Sequence, residues 1–197
     1  MGQYYKLVIL NDARKTASNK NKIDKFLHCG WNGVGIGKMC EFSYIENWAV
    51  NAFLSELKTP KRIVCAGDYA DNESKSKFNI YELCENHGTE IDFDKVSNKV
   101  KKHTFRYIIN EDKKVYLDLN ENLELANGED DCIFHPLPIL TSEGNGRGMG
   151  DYEGTSMQYV GTWARDLIRV SGKKPSDKKY KKETYIFFEK FNPLRKL

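Results

Sequence analysis

The chain has 197 residues, 40% of them hydrophobic, 12% aromatic and 30% charged, with a formal net charge of +3. That is room for one domain with an aromatic-rich core, and it excludes wholesale disorder. No apolar run approaches the roughly 20 residues that span a membrane, and Gln3-Tyr4-Tyr5-Lys6 stands where an export signal would need an apolar core. Five cysteines, an odd number with no Cys-x-x-Cys, read as free thiols of a soluble cytoplasmic protein.

Tyr4 to Leu10 is β-branched and aromatic enough for a first strand. Residues 13 to 25 are polar and basic, a surface loop or short helix. Phe26 to Lys38 holds alternating Gly33, Gly35 and Gly37, an irregular segment or a glycine-rich strand. The strongest helix signal is Glu46 to Lys58. Ile45, Trp48, Ala49, Ala52, Phe53 and Leu57 fall on one helical face, which places Trp48 and Phe53 in the core. Ser43 and Glu46 have the spacing of a capping box, and Pro60 ends the helix.

Arg62 to Ala66 reads as an interior strand running into Gly67-Asp68-Tyr69-Ala70-Asp71, with a polar loop over residues 72 to 77. Ile80 to His87 is a short helix with Gly88 as a left-handed cap. Phe105 to Ile109 and Val115 to Leu119 form a hairpin. Residues 120 to 131 are an acidic solvated loop. Cys132 to His135 enters Pro136-Leu137-Pro138, read as extended. Tyr159 to Val170 reads as a strand, with a helix over Ala164 to Ile168 as the alternative, 173 to 182 as a basic linker, and Thr184 to Phe191 as a final strand.

The expectation is a single α+β domain over residues 1–197: a mixed or antiparallel sheet of roughly six or seven strands with about two main helices. Charge is uneven along it. Glu111 to Asp131 holds eight acids against two lysines, and Arg165 to Leu197 holds eleven Lys or Arg against four acids. We read the basic end as a solvated tail rather than a nucleic-acid surface.

The densest punctuation is Leu140 to Thr155, where Gly144, Gly146, Gly148 and Gly150 alternate with Glu143, Asn145, Arg147 and Asp151. So many glycines fit a helix or strand poorly, and suit a loop that holds a ligand or a neighbouring segment. Three blocks together, Met1-Gly-Gln-Tyr-Tyr-Lys6, Ala66-Gly-Asp-Tyr-Ala-Asp71 and Glu143-Gly-Asn-Gly-Arg-Gly-Met-Gly-Asp-Tyr152, resemble a family of uncharacterised proteins from bacteria and their phages. The resemblance covers most of the chain. It departs at Cys65, where the family has Trp, and at Met149, where it has Gly. It implies a bacterial or phage setting and no mechanism.

Three chemistries compete. In the first, Arg147 and the loop amides clamp an anion. The nucleotide-binding patterns Gly-x-x-x-x-Gly-Lys-Ser/Thr and strand–Gly-x-Gly-x-x-Gly–helix are absent, and Glu143 and Asp151 need neutralising before a phosphate can approach. Alternatively, Arg147 bonds those carboxylates as architecture. In the second, Gly67-Asp68-x-x-Asp71 resembles part of the metal-dependent phosphoesterase pattern, and Asn86-His87 resembles its downstream Asn-His. The Asp-x-His that should end the first strand is missing, because Asn11-Asp12-Ala13 stands there. Otherwise Asp68 caps a turn or pairs with Arg147 or Arg165. In the third, Cys132-x-x-His135 with His28-Cys29 makes an incomplete zinc set.

The leading expectation is therefore a binding protein for a small polar, phosphate-bearing ligand. Its site residues would be Asp68, Tyr69, Asp71, Glu143, Asn145, Arg147, Asp151 and Tyr152, with no metal required. The alternatives are a metal-dependent hydrolase using Asp68, Asp71 and Asp151, and a protein–protein module docking through its basic end and aromatics.

Overall fold

β1 (Tyr4–Leu10) is the spine of the main sheet. Its alternation sends Tyr5, Leu7 and Ile9 to one core and Val8 to another on the opposite face. The computed structural model describes residues 3–11, 22–30, 35–74, 76–92, 105–125 and 131–190. In chain order the remaining elements begin with β2 (Ile23–His28), β3 (Gly37–Lys38), α1 (Met39–Phe42), α2 (Trp48–Ser55) and β4 (Lys61–Gly67). Next come α3 (Ile80–His87), β5 (Thr89–Glu90), β6 (Tyr107–Asn110), β7 (Val115–Asp118), α4 (Leu119–Leu125) and β8 (Asp131–Ile133). The last are α5 (Pro136–Leu140), β9 (Ser142–Glu143), β10 (Leu167–Ser171), β11 (Lys181–Lys182) and β12 (Phe188–Lys190).

The result is a mixed α+β fold. Ten strands share the main sheet, in the order β11-β7-β6-β10-β4-β1-β2-β5, with β3 beside β1 and β9 beside β4; β12 and β8 form a separate pair. α1, α2 and α5 pack on the face of Tyr5, Leu7, Cys65 and Ile168, and α3 covers the face of Val8, Val64 and Ala66. No helix among the described residues is long and apolar enough to cross a membrane. All five cysteines are free thiols.

β4 changes partner along one edge. Leu167 and Ile168 of β10 run antiparallel to Arg62 and Lys61, whereas Ser142 and Glu143 of β9 run parallel to Cys65 and Ala66. At the changeover Arg165 donates its N–H to Ile63 O, and Cys65 donates to Thr141 O.

The strand count exceeds six or seven because β3, β5, β9 and β11 are two-residue pairings, too short to carry a period. Among the described residues there are five helices rather than two. Pro136 starts one of them: proline fits the first helical position, and His135 caps it by accepting the Leu137 N–H at its Nδ1, so the segment is not extended. The acidic segment is helical from Leu119 to Leu125, and residues 126–130 lie outside the described part. The strand expected over 159–170 is confined to Leu167 onward, after a 3-10 turn at Met157–Tyr159, and the final strand shortens to Phe188–Lys190. Gly88 closes α3 in extended rather than left-handed geometry. Of the loop expected over 13–25, residues 13–21 are not described, and β2 begins at Ile23.

α2 corrects a further expectation. Its cap is Asn47, whose side chain accepts from Ala49 and Val50 N–H, and not the Ser43–Glu46 box. Val50 and Leu54 join Ala49, Ala52, Phe53 and Leu57 in the core, which turns the buried arc away from Trp48. Trp48 is 66% exposed.

Candidate functional site

β4 and β9 are neighbouring parallel strands, and both open at their carboxyl ends into a glycine-bearing loop. Carboxyl ends of adjacent parallel strands are a recurrent place for ligands, because each strand holds its loop rigidly while the loops diverge. The block after β4 is Gly67 to Asp71, and the block after β9 is Gly144 to Asp151.

The start of β1 ties these two blocks together. Asp68 accepts the Tyr4 N–H at Oδ1 (3.0 Å) and returns its own N–H to Tyr4 O (2.9 Å). Gln3, only 5% exposed, lays its amide between Gly67 and Gly144. A β-carbon at Gly67 would stand 2.5 Å from Gln3 Nε2, and one at Gly144 would be closer still. The Tyr5 hydroxyl lies 2.6 Å from Gly148 O and 2.9 Å from Gln3 Oε1. Its single proton serves one of them at a time. Burial, followed by the nearby Asp151 and Asp68 carboxylates, pushes the Tyr5 phenol up, so it stays protonated as a donor.

The glycine loop makes a 3-10 turn over Asn145–Gly148. Its φ angles then alternate in sign: +78° at Gly148, −62° at Met149 and +60° at Gly150. A β-carbon at Gly148 would meet Glu143 backbone at 2.9 Å, and one at Gly150 would meet Tyr5 Oη at 2.6 Å, so left-handed geometry and close approach coincide there. Asp151 Oδ1 accepts the Cys40 N–H at 2.9 Å. Burial, then the charges of Asp151 and Glu189, pushes the Cys40 thiol up, so it remains a thiol.

Glu143 is neutralised from outside the loop. Arg165 donates Nε to its Oε1 and Nη2 to its Oε2, both at 2.7 Å, in a bidentate fork. The same guanidinium grips Glu73 through Nη2, with Nη1 at 3.3 Å from Oε2. Lys22 closes the series on Glu73 Oε2 at 2.6 Å. Burial pushes the Glu73 carboxyl up, but hydrogen bonds from Arg165 and Lys22 outweigh it and hold it below the ordinary 4.5.

The expected residues thus separate. Asp68, Glu143 and Asp151 belong to the joined loops, each already bonded to protein, and Arg165 pairs with Glu143 and Glu73 rather than with Asp68. Tyr69, Asp71 and Asn145 are exposed beside them. Arg147 lies in the same turn as Asn145, and its side chain is outside the described residues. Tyr152 points into the core between Phe134 and Phe187, at ring distances of 5.4 and 6.0 Å, with its hydroxyl donated to Thr155 O. Gln3, Tyr5 and Glu73 escaped the sequence reading as members of this cluster, and Arg165 entered it only as an alternative partner of Asp68, not of Glu143 and Glu73. The opening block offered a signal for the first two, and nothing local marks Glu73 in its polar loop.

Among the described residues no group of three or more His, Cys, Asp or Glu side chains is placed to hold a metal ion. No family model, no curated protein and no solved structure matches the chain.

Proposed function

We propose that the chain is a binding protein for a small polar, phosphate-bearing ligand, of the kind used as a bacterial or phage accessory protein, with its site at the carboxyl ends of β4 and β9. One observation carries the reading: two glycine-bearing loops follow adjacent parallel strands and are held together by Gln3 and Tyr5. Two further features support it. Backbone that alternates between left- and right-handed residues, as at Gly148, Met149 and Gly150, turns successive N–H groups toward one side, the geometry of an anion nest. The Arg165 fork on Glu143 removes the repulsion that this carboxylate would offer a phosphate. In this reading Arg147 clamps the anion, and Asp68 and Asp151, each with Oδ1 spent on a backbone N–H, use Oδ2 for ligand hydroxyls or amines. A metal-dependent hydrolase would need Asp68, Asp71 and Asp151 to gather around one ion, and no group of three or more His, Cys, Asp or Glu side chains among the described residues supports that alternative.

The test is a thermal-shift and titration screen of wild type, Arg147→Ala and Arg147→Lys against inorganic phosphate, tripolyphosphate and phosphorylated metabolites, with and without divalent metal. A ligand should bind wild type roughly ten- to a hundredfold more tightly than Arg147→Ala, with incomplete rescue by Arg147→Lys, which lacks the planar fork. Equal binding by wild type and a folded Arg147→Ala would overturn the clamp. No binding by any phosphorylated probe would overturn the site.

A further inference from the structure

Two large aromatic side chains stand out of the loop between β4 and α3. Tyr69 is 48% exposed and Phe78 52% exposed. A ring left in water forgoes the stabilisation that burial would bring, so two on one loop invite an explanation. The loop that carries them is held in shape. Asn79 is buried at the start of α3 and donates Nδ2 to Asp68 O at 3.0 Å and to Ala70 O at 3.2 Å, the carbonyls on either side of Tyr69. The Asn79 Oδ1 accepts the Glu82 N–H at 3.0 Å, which fixes the helix start immediately after Phe78. The Phe78 carbonyl in turn accepts the Glu73 N–H at 3.0 Å. One buried amide therefore pins the chain around Tyr69 and directly behind Phe78. A binding surface whose backbone is already ordered loses little entropy when a ligand arrives.

The position matters as much as the exposure. Tyr69 follows Asp68, which is bonded on both sides to Tyr4 at the junction of the two loops. Exposed Asp71 lies two residues further on. Tyr69 thus stands in the chain between two carboxylate-bearing residues, Asp68 and exposed Asp71, and an exposed π face on such a loop suits a flat ligand that also carries N–H or O–H donors. An acyl chain or an apolar peptide side chain would meet carboxylates to which it has nothing to donate, and a phosphorylated sugar brings C–H faces but no π system. A nucleobase offers both, a π face and donating edges.

We propose that Tyr69 and Phe78 receive the base of a nucleotide whose phosphates lie at the carboxyl ends of β4 and β9. This rests on the anion site proposed above and names the class of its ligand. The same chemistry is presented by a free nucleotide and by the end of a single strand.

The experiment titrates the full chain with ATP, GTP, CTP, tripolyphosphate and a short single-stranded oligonucleotide, using wild type, Tyr69→Ala, Phe78→Ala and Tyr69→Phe. Melting of each variant without ligand checks that it is folded. At least one nucleotide should bind wild type about tenfold or more tightly than tripolyphosphate, and both alanine variants should lose that advantage while keeping their tripolyphosphate affinity. Tyr69→Phe should keep it, since the ring does the stacking. Tighter binding of the oligonucleotide with the same alanine sensitivity supports the base contact and makes a strand the source. Equal binding of nucleotides and tripolyphosphate, or alanine variants that bind nucleotides like wild type, overturns the base contact and leaves the anion site standing. Failure of nucleotides and tripolyphosphate alike to bind wild type overturns both.

Discussion

The side-chain amide of Gln3 occupies the space that a β-carbon on Gly144 would need. The two residues are far apart in the chain, and this contact joins the first strand to the glycine loop. Gly144→Ala should destabilise the fold by about 1–3 kcal/mol, as overpacking of a filled site does. The cost should shrink in a Gln3→Ala background, because the clash is with that one side chain. Urea denaturation of the two single variants and the double variant measures the coupling, and strictly additive effects would refute the contact.

Arg165 combines a left-handed backbone, φ +64°, with the guanidinium that joins Glu143 to Glu73. Arg165→Ala loses the fork and keeps the unfavourable backbone. Arg165→Gly loses the fork and relieves the backbone, so it should be the more stable of the two by about 1 kcal/mol. Glu73 has a depressed folded pKa, so its share of the network is present above its ordinary 4.5 and is lost as the pH falls through the lower folded value. The gap between wild type and Arg165→Gly should therefore narrow in acid. A gap independent of pH would show that the ion pairs carry none of it.

Trp48 and Phe53 share α2 but not its environment. Trp48→Ala should change stability by no more than about 0.5 kcal/mol, because the ring is mostly in water. Phe53, fully buried, should cost about 3–5 kcal/mol when truncated to alanine. Chemical denaturation of both variants decides the point, and similar losses would mean that the buried face is wrongly placed.

His135 is held neutral: burial pushes its imidazole from 6.5 down to about 3. The unfolded chain takes up a proton near 6.5 that the folded chain refuses, so this residue's contribution is full above that pH and falls progressively toward 3. Between pH 6.5 and about 5 the loss should reach about 2 kcal/mol. His135→Asn keeps a cap acceptor for the Leu137 N–H and does not titrate. Its stability should vary less than wild type over that interval, and an unchanged slope would assign the acid sensitivity to other groups.

Much of the frame was legible wherever a local pattern decides the structure. β1 and β4 are apolar runs, α3 covers the expected Ile80–His87, and Asn110 to Lys114 turns one strand into the next. The rest depends on partners. β9 is a strand only because β4 lies beside it, and Pro136 begins a helix because His135 can cap it. Trp48 matched the helical period, yet the period alone could not say where the buried arc is centred once Val50 and Leu54 join it. The same division holds at the candidate site. Asp68, Glu143 and Asp151 could be picked out because they punctuate glycine-rich blocks. Gln3 and Glu73 could not, since each acts on a residue distant in sequence; Arg165 could be picked out only for Asp68, while its actual partners Glu143 and Glu73 have no local signal, and Tyr152 looks polar in a motif while its ring fills the core.

The divided edge of β4 bears on how the chain is assembled over time. β1 and β4 pair along most of their length, and their register can form from the first third of the chain. The opposite edge of β4 stays bare until Ser142–Glu143 and Leu167–Ile168 arrive from its later part. Contacts closed over such separations form slowly. An unpaired strand edge is a template for another molecule's strand. The half-made protein, rather than the finished one, is thus the species most prone to aggregate, and two short segments near the far end of the chain protect it by covering that edge.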